Sequence, residues 1–567
     1  MLAPGPYWLD SSEFAAASFE LGVAHPPGHP LAALLGKAFA LLPLGPVALR
    51  VGLSQAACGA LAAALCCLLA AELAGHTALA LGRRDRLLEA LAGAAAGLWL
   101  GGSHAAALQA VRPEVYALNA ALVLLAALAL SRFDVDGDPR RLLGAALALG
   151  LGLANHHVLT GLFGLAALAY VAMQHERLRP AGAGRVALIG AAAGGLGVLL
   201  YAYLPLRALA HPEVDWGAPS TAARFLWTVS ARAFARSLDR AELGGAGAVA
   251  LALSRELGPA LLVTALGAWT AVRLPAVRRV GALLLLGAAV DAAAPALVGF
   301  DRDNPDAYGY LEPAVALLAV LGGAALGALG ALSPRRVVGR LAAASALAWA
   351  GLAGAARLPA LSLSDFADTA RVGEAILDDC PSRALLVTSY YQTVLTLSYL
   401  RLVEGQRPDV DHLHRHFLPW PGYRDEVLRR LPALEPVLGP RDVDAAALER
   451  LAASRPVVVE YDLDLDRRLV ERLAPGVLAE SLVPPGAAPP AGPTPAVVAA
   501  GERLRGALDL GESETRRFVF WRAFLDAHRD CSLGRRGPGQ AALFRARGLL
   551  GGTPDPDLEE LAQRCGL

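Results

Sequence analysis

Residues Pro313–Leu332 read PAVALLAVLGGAALGALGAL, twenty residues without a charge or a polar side chain. About 20 apolar residues at ~1.5 Å each let an α-helix cross the ~30 Å hydrocarbon core with every backbone polar group bonded internally. The glycines and alanines on this segment allow a second helix to approach closely. Outward from it, nine more segments read the same way: Val47–Leu73, Leu87–Ala110, Val115–Ser131, Leu142–Asn155, Val158–Met173, Val186–Leu206, Val249–Val272, Val280–Phe300 and Leu341–Leu358. The sequence therefore predicts a polytopic α-helical membrane protein with about ten spanning helices. Leu142–Asn155 and Val158–Met173 are short for spans. They read either as two short spans meeting near one face or as one interrupted hairpin.

Composition agrees. Of 567 residues, 55% are hydrophobic and only 18% charged, against about 25% charged in an ordinary soluble domain. A soluble enzyme throughout is excluded. With 51 basic and 51 acidic residues, no overall field favours nucleic acid, and no nucleic-acid partner is expected.

The loops fall into two classes. Arg83, Arg84 and Arg86 form one cluster. Arg132, Arg140 and Arg141 form the next, then Arg177, Arg179 and Arg185, then Arg273, Arg278 and Arg279, then Arg335, Arg336 and Arg340. The positive-inside rule assigns these to the cytoplasm. The segment before Val47, the Arg112–Glu114 turn, the His156–His157 turn, Arg207–Ala246 and everything after Leu358 then lie outside. A segment before Val47 on the outer face needs a delivery signal, so a further apolar helix upstream of Met1 is expected.

After Leu358 the pattern changes. Ala384–Thr388 and Pro456–Tyr461 read as short buried strands, and Thr393–Gly405 as a helix stopped by its glycine. The expected organisation is a membrane-embedded region over 1–358, an external α/β domain over 359–483, a Pro/Gly/Ala linker over 484–495 and a helical region over 496–567. No P-loop, dinucleotide fingerprint or nucleophile elbow occurs in the soluble part. Cys531 and Cys565 can pair if that part lies outside the cytoplasm.

Polar groups beside a membrane are costly and point to function. The densest external cluster is Asp10-Ser11-Ser12-Glu13, followed by His25-Pro26-Pro27-Gly28-His29-Pro30. Asp10 and Glu13 are three apart and share a helix face. Two such carboxylates can divide proton acceptance from positioning. Alternatively Asp10 is an N-cap with Glu13 as its capping-box partner. Further candidates are Arg112, Glu114, Tyr116 and Asn119; Asn155, His156 and His157; Arg207; and Asp215-Trp216-Gly217. Asp291 lies inside an apolar span. Arg255 and Glu256 read as a charge pair near the outer end of another.

These blocks together are familiar. Asp10-Ser-Ser-Glu13-Phe14, Leu21-Gly-Val-Ala-His25-Pro-Pro-Gly-His-Pro30, Glu114-Val-Tyr116-Ala-Leu-Asn119, Asn155-His156-His157, Tyr203-Leu-Pro-Leu-Arg207 and Glu404-Gly-Gln-Arg407-Pro-Asp409-Val410 resemble a bacterial membrane-protein family related to the animal transmembrane protein O-mannosyltransferase. That resemblance implies a C-type glycosyltransferase in a bacterial inner membrane, with its active site and C-terminal domain on the outer face. The donor would be a polyprenyl-phosphate sugar, mannose by analogy. The acceptor would be a Ser/Thr hydroxyl of an exported protein, or a glycolipid. Asp10 would be the base, with Glu13 and His25 orienting the acceptor or binding a divalent metal. Arg207 and Arg112 would hold the lipid phosphate, and Glu114, Tyr116, Asn119, His156, His157 and Trp216 would complete the substrate site. The Tyr390-Tyr391-Gln392 segment lacks the acidic residue expected after its strand. The rival reading is a transporter or lipid-binding membrane protein without catalysis, supported by Asp291 and the histidine pair. A transporter should show two similar halves, and no internal repeat is seen.

Overall fold

The computed structural model describes residues 1–179, 182–234, 245–490, 492–551 and 554–566. The chain divides into two compact units. One holds Met1–Pro4, Ala17–Ala210 and Ser220–Asp365; the other holds Gly5–Ala16, His211–Pro219 and Phe366–Leu567.

The first unit is helical. Its main helices are α1 (Ser11–Glu20, shared with the other unit), α2 (Pro30–Ala40), α3 (Val47–Ala80), α4 (Arg86–Gly101), α5 (Tyr116–Asp136), α6 (Pro139–Ala172) and α7 (Ala183–Val198). Then come α8 (Gly245–Leu257), α9 (Ala260–Arg273), α10 (Arg278–Val298), α11 (Pro305–Leu332) and α12 (Arg336–Leu361). Among the described residues seven helices are long and apolar enough to cross a membrane, or eight with α8 and α9 taken as one span. Counting α6 as two spans and adding the 16-residue α4 recovers the ten expected.

Helix α6 settles the ambiguity over residues 142–173. A straight helix of its 34 residues would be about 51 Å long. Yet its two ends meet at the C-terminus of α5. Asp138 caps its start, just after α5, while Arg177, five residues beyond its end, donates to the carbonyls of Phe133 and Asp134 at 3.3 and 2.6 Å. The chain turns back at His156, whose φ/ψ of −143°/89° are not helical. Side by side across the turn, a Cβ on Gly152 would lie 2.6 Å from Thr160 Oγ1. So α6 is a hairpin of two short arms with its tip at His156.

The arginine loops collect at one end of this unit. Arg340 pairs with Asp85 at 2.8 Å, Arg132 with Glu72 at 2.7 Å and Arg279 with Asp134 at 3.6 Å, while Arg83 donates to the Ser333 carbonyl. Three expectations need correction. The span expected over Val249–Val272 is broken, with α8 and α9 meeting at 101°, because Gly258 is left-handed (φ +49°) and Pro259 follows it. The helix expected over Pro313–Leu332 starts at Pro305 instead, since Pro305 sits at its first turn, where the missing N–H costs nothing; this takes Glu312 inside. Arg255 and Glu256 do not pair with each other: Glu256 accepts the His104 N–H at 2.9 Å, and the Arg255 carbonyl accepts from Arg357.

The second unit is built on a five-stranded sheet, β1 (Leu385–Thr388), β2 (Asp411–His414), β3 (Val457–Val459), β4 (Leu473–Ala474) and β5 (Glu480–Leu482), in the order β2-β1-β3-β5-β4. The first three strands are parallel and the β3–β5–β4 edge is antiparallel. Helices α13 (Asp368–Asp378), α14 (Tyr391–Ser398), α15 (Tyr423–Arg430) and α16 (Ala445–Ala452) accompany it. The two strands and the helix expected from sequence are present, and the helix ends, through a π-turn, at Gly405 (φ +68°). Beyond the linker, α17 (Pro495–Ala507), α18 (Ser513–Ser532), α19 (Arg536–Leu549) and α20 (Pro556–Arg564) form the helical region. A Cys531–Cys565 disulfide joins the end of α18 to the end of α20.

Candidate functional site

In the soluble unit, Asp10 stands at the start of α1, its carbonyl accepting the first helical bond from Phe14 at 2.9 Å. Glu13, one turn on, is fully buried. Their carboxylate oxygens lie within 4.8 Å of each other, as the three-residue spacing requires. The segment carrying them is held by residues 500 positions away. Tyr7 donates to Glu512 at 2.6 Å and Trp8 to Thr515 at 2.8 Å. Trp8 also stacks on Phe518 with centroids 5.1 Å apart. Nothing local in the sequence signals this docking.

In the helical unit, His25, His29 and His156 gather at the α6 tip. His29 Nδ1 is 2.6 Å from the Asn155 carbonyl; a carbonyl only accepts, so Nδ1 carries the proton. Burial, with His25 and His156 nearby, holds His29 well below its ordinary pKa, and it stays neutral. Asn155 Nδ2 donates to the Val115 carbonyl at 2.9 Å. The rings of His25 and His29 are 4.9 Å apart, His29 and His156 5.8 Å, Tyr116 and His156 5.7 Å, and His156 and Tyr310 5.5 Å. Thr160 bonds Asn119 at 2.7 Å. The structure thus brings His25, Tyr116 and His156 together with His29 of the same sequence cluster, adding Tyr310, which sequence reasoning missed. The signal was present in Asp306-Ala-Tyr308-Gly-Tyr310, an aromatic run at the head of an apolar helix. His157, next along, has a buried Nδ1 with no partner among the described residues.

The two arginines differ. Arg207 is half-buried; its Nε and Nη2 donate to the carbonyls of Leu21 and Glu20 at 2.6 and 3.1 Å. Its Nη1 has no hydrogen bond among the described residues. Arg112 is fully buried. It bonds Glu114 at 3.0 Å, Gln109 at 2.8 Å and Asp306 at 2.5 Å. With two carboxylates and an amide on its guanidinium, Arg112 latches the Arg112–Glu114 turn to the start of α11. Asp291 and Glu312 are both fully buried, and their carboxylate oxygens have no hydrogen-bond partner among the described residues.

In the soluble unit the crevice at the carboxyl ends of β1 and β3 is the switch point of the parallel strands, where open α/β sheets bind ligands. Here it is filled from within. Glu460 accepts the Ser389 and Tyr390 N–H groups at 2.9 and 3.0 Å and the Thr393 hydroxyl at 2.7 Å. This supplies from β3 the acidic residue missing after β1. His416, Asp462 and Asp464 bring three potential metal ligands within 4.8 Å, but the Arg415 guanidinium already bonds Asp462 and Asp464 at 3.3 and 2.7 Å. Trp216 sits in this unit against Phe417 and Trp420.

Comparison with known proteins gives a consistent relation. The family described as "Protein O-mannosyl-transferase TMEM260 N-terminal domain" matches residues 10–179. Mouse Protein O-mannosyl-transferase TMEM260 is 26% identical over 453 residues, covering 75% of this chain; the chain spans 62% of the length of that relative. Crystal structures of ArnT from Cupriavidus metallidurans, one bound to undecaprenyl phosphate and one apo, superpose with a TM-score of 0.51. They are 15% and 14% identical, covering 86% of this chain and 96% of theirs. The chain is related to these proteins and shares the helical membrane fold of the ArnT structures.

Proposed function

We propose that the chain is a membrane glycosyltransferase that moves a sugar from a polyprenyl-phosphate donor to an exported hydroxyl acceptor. The observation that carries this reading is the Asp10–Glu13 pair: two carboxylates within 4.8 Å, on a helix start fixed by buried hydrogen bonds. Its support is the matched family region, which begins at Asp10, and the relatives' printed activity. The sugar is mannose and the acceptor a protein Ser/Thr hydroxyl by analogy with the mouse relative.

Asp10 takes the acceptor's hydroxyl proton as the oxygen attacks the anomeric carbon. The new C–O bond forms as the bond from that carbon to the phosphate oxygen breaks, and polyprenyl phosphate departs with the electron pair. A single displacement inverts the anomeric centre. The leaving group is already ionised, so no acid is required. Glu13 and His25 orient the acceptor or hold a divalent cation. Arg207 offers its remaining guanidinium edge to the lipid phosphate, as the planar fork suits phosphate oxygens. Tyr116, Asn119, His156 and His157 line the sugar site, with Arg112 and Glu114 fixing its turn.

The arginine-rich end is cytoplasmic and the α6 tip faces outward. The disulfide fits a C-terminal part on the oxidising side of a bacterial inner membrane. A cysteine placed in the Arg83–Arg86 loop should then resist an impermeant thiol reagent in intact cells; labelling from outside would invert the topology.

The decisive test is sugar transfer from a polyprenyl-phosphate donor in detergent. Asp10→Asn keeps the size and still caps a helix, but cannot accept a proton. It should fold normally and lose ~10²–10⁴-fold in rate. Near-full activity would leave Asp10 as a cap only. A carrier built on the buried Asp291 and Glu312 would instead move substrate across vesicles without forming a glycosidic bond.

A further inference from the structure

A small pocket of the soluble unit lies among α17, α18 and α19. Gly501 and Arg505 of α17 form one wall, Phe518 and Arg522 of α18 the second, and Arg545 of α19 the third. Its volume is about 50 Å³, room for about four water-sized groups at ~10–15 Å³ each. That suits a tetrahedral oxyanion and is too small for a sugar ring. Arg505 Nη1 lies 3.4 Å from where a Cβ on Gly501 would stand. The side chain thus folds back over its own helix, as helical side chains lean toward the N-terminus.

Three guanidinium groups line the pocket and one carboxylate, Asp526. The acids beside it are already taken. Asp526 pairs with Arg522 at 3.1 Å and with Arg529 at 3.3 Å, and Glu480 pairs with the same two arginines. Arg505 and Arg545 have no hydrogen bond or ion pair among the described residues. Glu502 and Asp530 act on Arg545 only from beyond ion-pair distance. Partial burial holds Arg545 below its usual value; Asp526 works against that and Arg505 adds to it. Arginine stays charged all the same. Two cations therefore sit in each other's field, at the mouth of a cavity, with no counter-ion from the described chain.

We propose that this pocket is an oxyanion site that takes one phosphate group, free or as a phosphomonoester, between Arg505 and Arg545. Such a group carries about −1.5 to −2 near neutral pH, which matches two guanidinium groups, and their planar forks suit its oxygens. A carboxylate brings only a single charge. The site goes beyond the transferase reading, since no step of the transfer passes through it. Its place gives it a consequence. Phe518, in its wall, also stacks on Trp8, two residues before Asp10. An anion held here ties α17 to α19 beside the helix that seats the acid-bearing segment.

The probe is inorganic phosphate, titrated into the full chain in detergent at fixed ionic strength near neutral pH and read by isothermal calorimetry, which needs no turnover. Saturable binding is expected. Arg505→Gln and Arg545→Gln should each weaken it about tenfold or more, with the urea midpoint unchanged, because neither side chain bonds another part of the described chain. Arg503→Gln removes an exposed arginine of α17 that does not line the pocket and should leave binding nearly intact. Glycerol 3-phosphate displacing phosphate at lower concentration would identify a monoester as the ligand; displacement only by sulfate would identify the free anion. The proposal is overturned by absence of saturable binding or by binding that both Arg505→Gln and Arg545→Gln leave intact. Equal loss in Arg503→Gln would also overturn it, as diffuse surface charge, and loss in Arg207→Lys alone would move the phosphate to the donor site. A chain that transfers sugar yet binds no phosphate here loses this site and keeps the transferase reading; the reverse outcome does the opposite.

Discussion

In the helical unit the closest approaches are between backbones. A methyl on Gly323 would strike the carbonyl of Ala70, one on Gly327 that of Ala74, and one on Gly267 that of Leu321. In the soluble unit they are between charges. Fully buried Arg415 bonds Asp442, Asp462 and Asp464, and fully buried Glu480 takes both Arg522 and Arg529. The contrast follows from the two solvents. Lipid is as apolar as leucine, so burying side chains gives little drive, and helices gain by fitting surfaces closely. Water lets the soluble unit bury apolar strands for a large gain. There, ion pairs fix which packing is adopted rather than adding much stability. The same logic separates the buried acids. Glu460 has three donors; Glu312 has no hydrogen-bond partner among the described residues. One is a stopper, and the other an uncompensated group of the kind that marks function in a membrane.

The largest effect that would sharpen this contrast is Arg415→Met. It leaves the mostly buried Asp462 without its guanidinium, Asp442 and Asp464 being solvated, and should cost about 3–5 kcal/mol, read as a lowered urea midpoint by tryptophan fluorescence. An unchanged midpoint would mean that Asp462 is solvated too. Next is the disulfide. Cutting a loop with a sequence separation of 34 should cost roughly 3–4 kcal/mol. In Cys531→Ser/Cys565→Ser, limited proteolysis should cleave α18–α20 first, and equal resistance would show that the helices need no bridge. Gly323→Val should cost about 1–3 kcal/mol or more by overpacking α11 against α3. Its helical unit should unfold earlier in denaturing detergent while the soluble unit's urea midpoint stays put; a shift in the latter instead would break the distinction. The smallest effect is in pH. Burial raises the Glu460 carboxyl above its usual value, ahead of the three donors that lower it. The folded state then holds that proton more tightly than the unfolded state. Stability is full below the ordinary carboxylate pKa and declines as pH rises toward the folded value. Glu460→Gln, which can still accept both N–H groups, should flatten that decline; a slope identical to wild type would assign it elsewhere.

The ten apolar segments were legible because hydropathy is a local property. So was the ambiguity at residues 142–173. Asn155-His156-His157 showed that the apolar run breaks there, and only the return of Arg177 to Phe133 shows that the chain reverses. The span read over Pro313–Leu332 left Glu312 out because Pro313 looked like a helix start, when the helix already begins at Pro305. Strand β2 was missed since Asp411-His-Leu-His414 is polar; its pairing with β1, not its composition, makes it a strand. The bond from Arg112 to Asp306 was not legible because the two lie 194 residues apart. At the candidate site, residue identities were visible, whereas the attachment of residues 5–16 to the soluble unit was not.

That attachment has a consequence in time. Tyr7 and Trp8 leave the ribosome well before Glu512 and Thr515, which follow only after some 505 further residues. At ~5–20 residues per second, the interval is on the order of half a minute or more. Throughout it the acid-bearing segment has no seat, whatever the state of the helices already inserted. A chain that stalls or is clipped before α18 carries Asp10 and Glu13 and still cannot fix them in place. The order of synthesis thus leaves the Asp10–Glu13 pair without its docking partners until the start of α18 has been made.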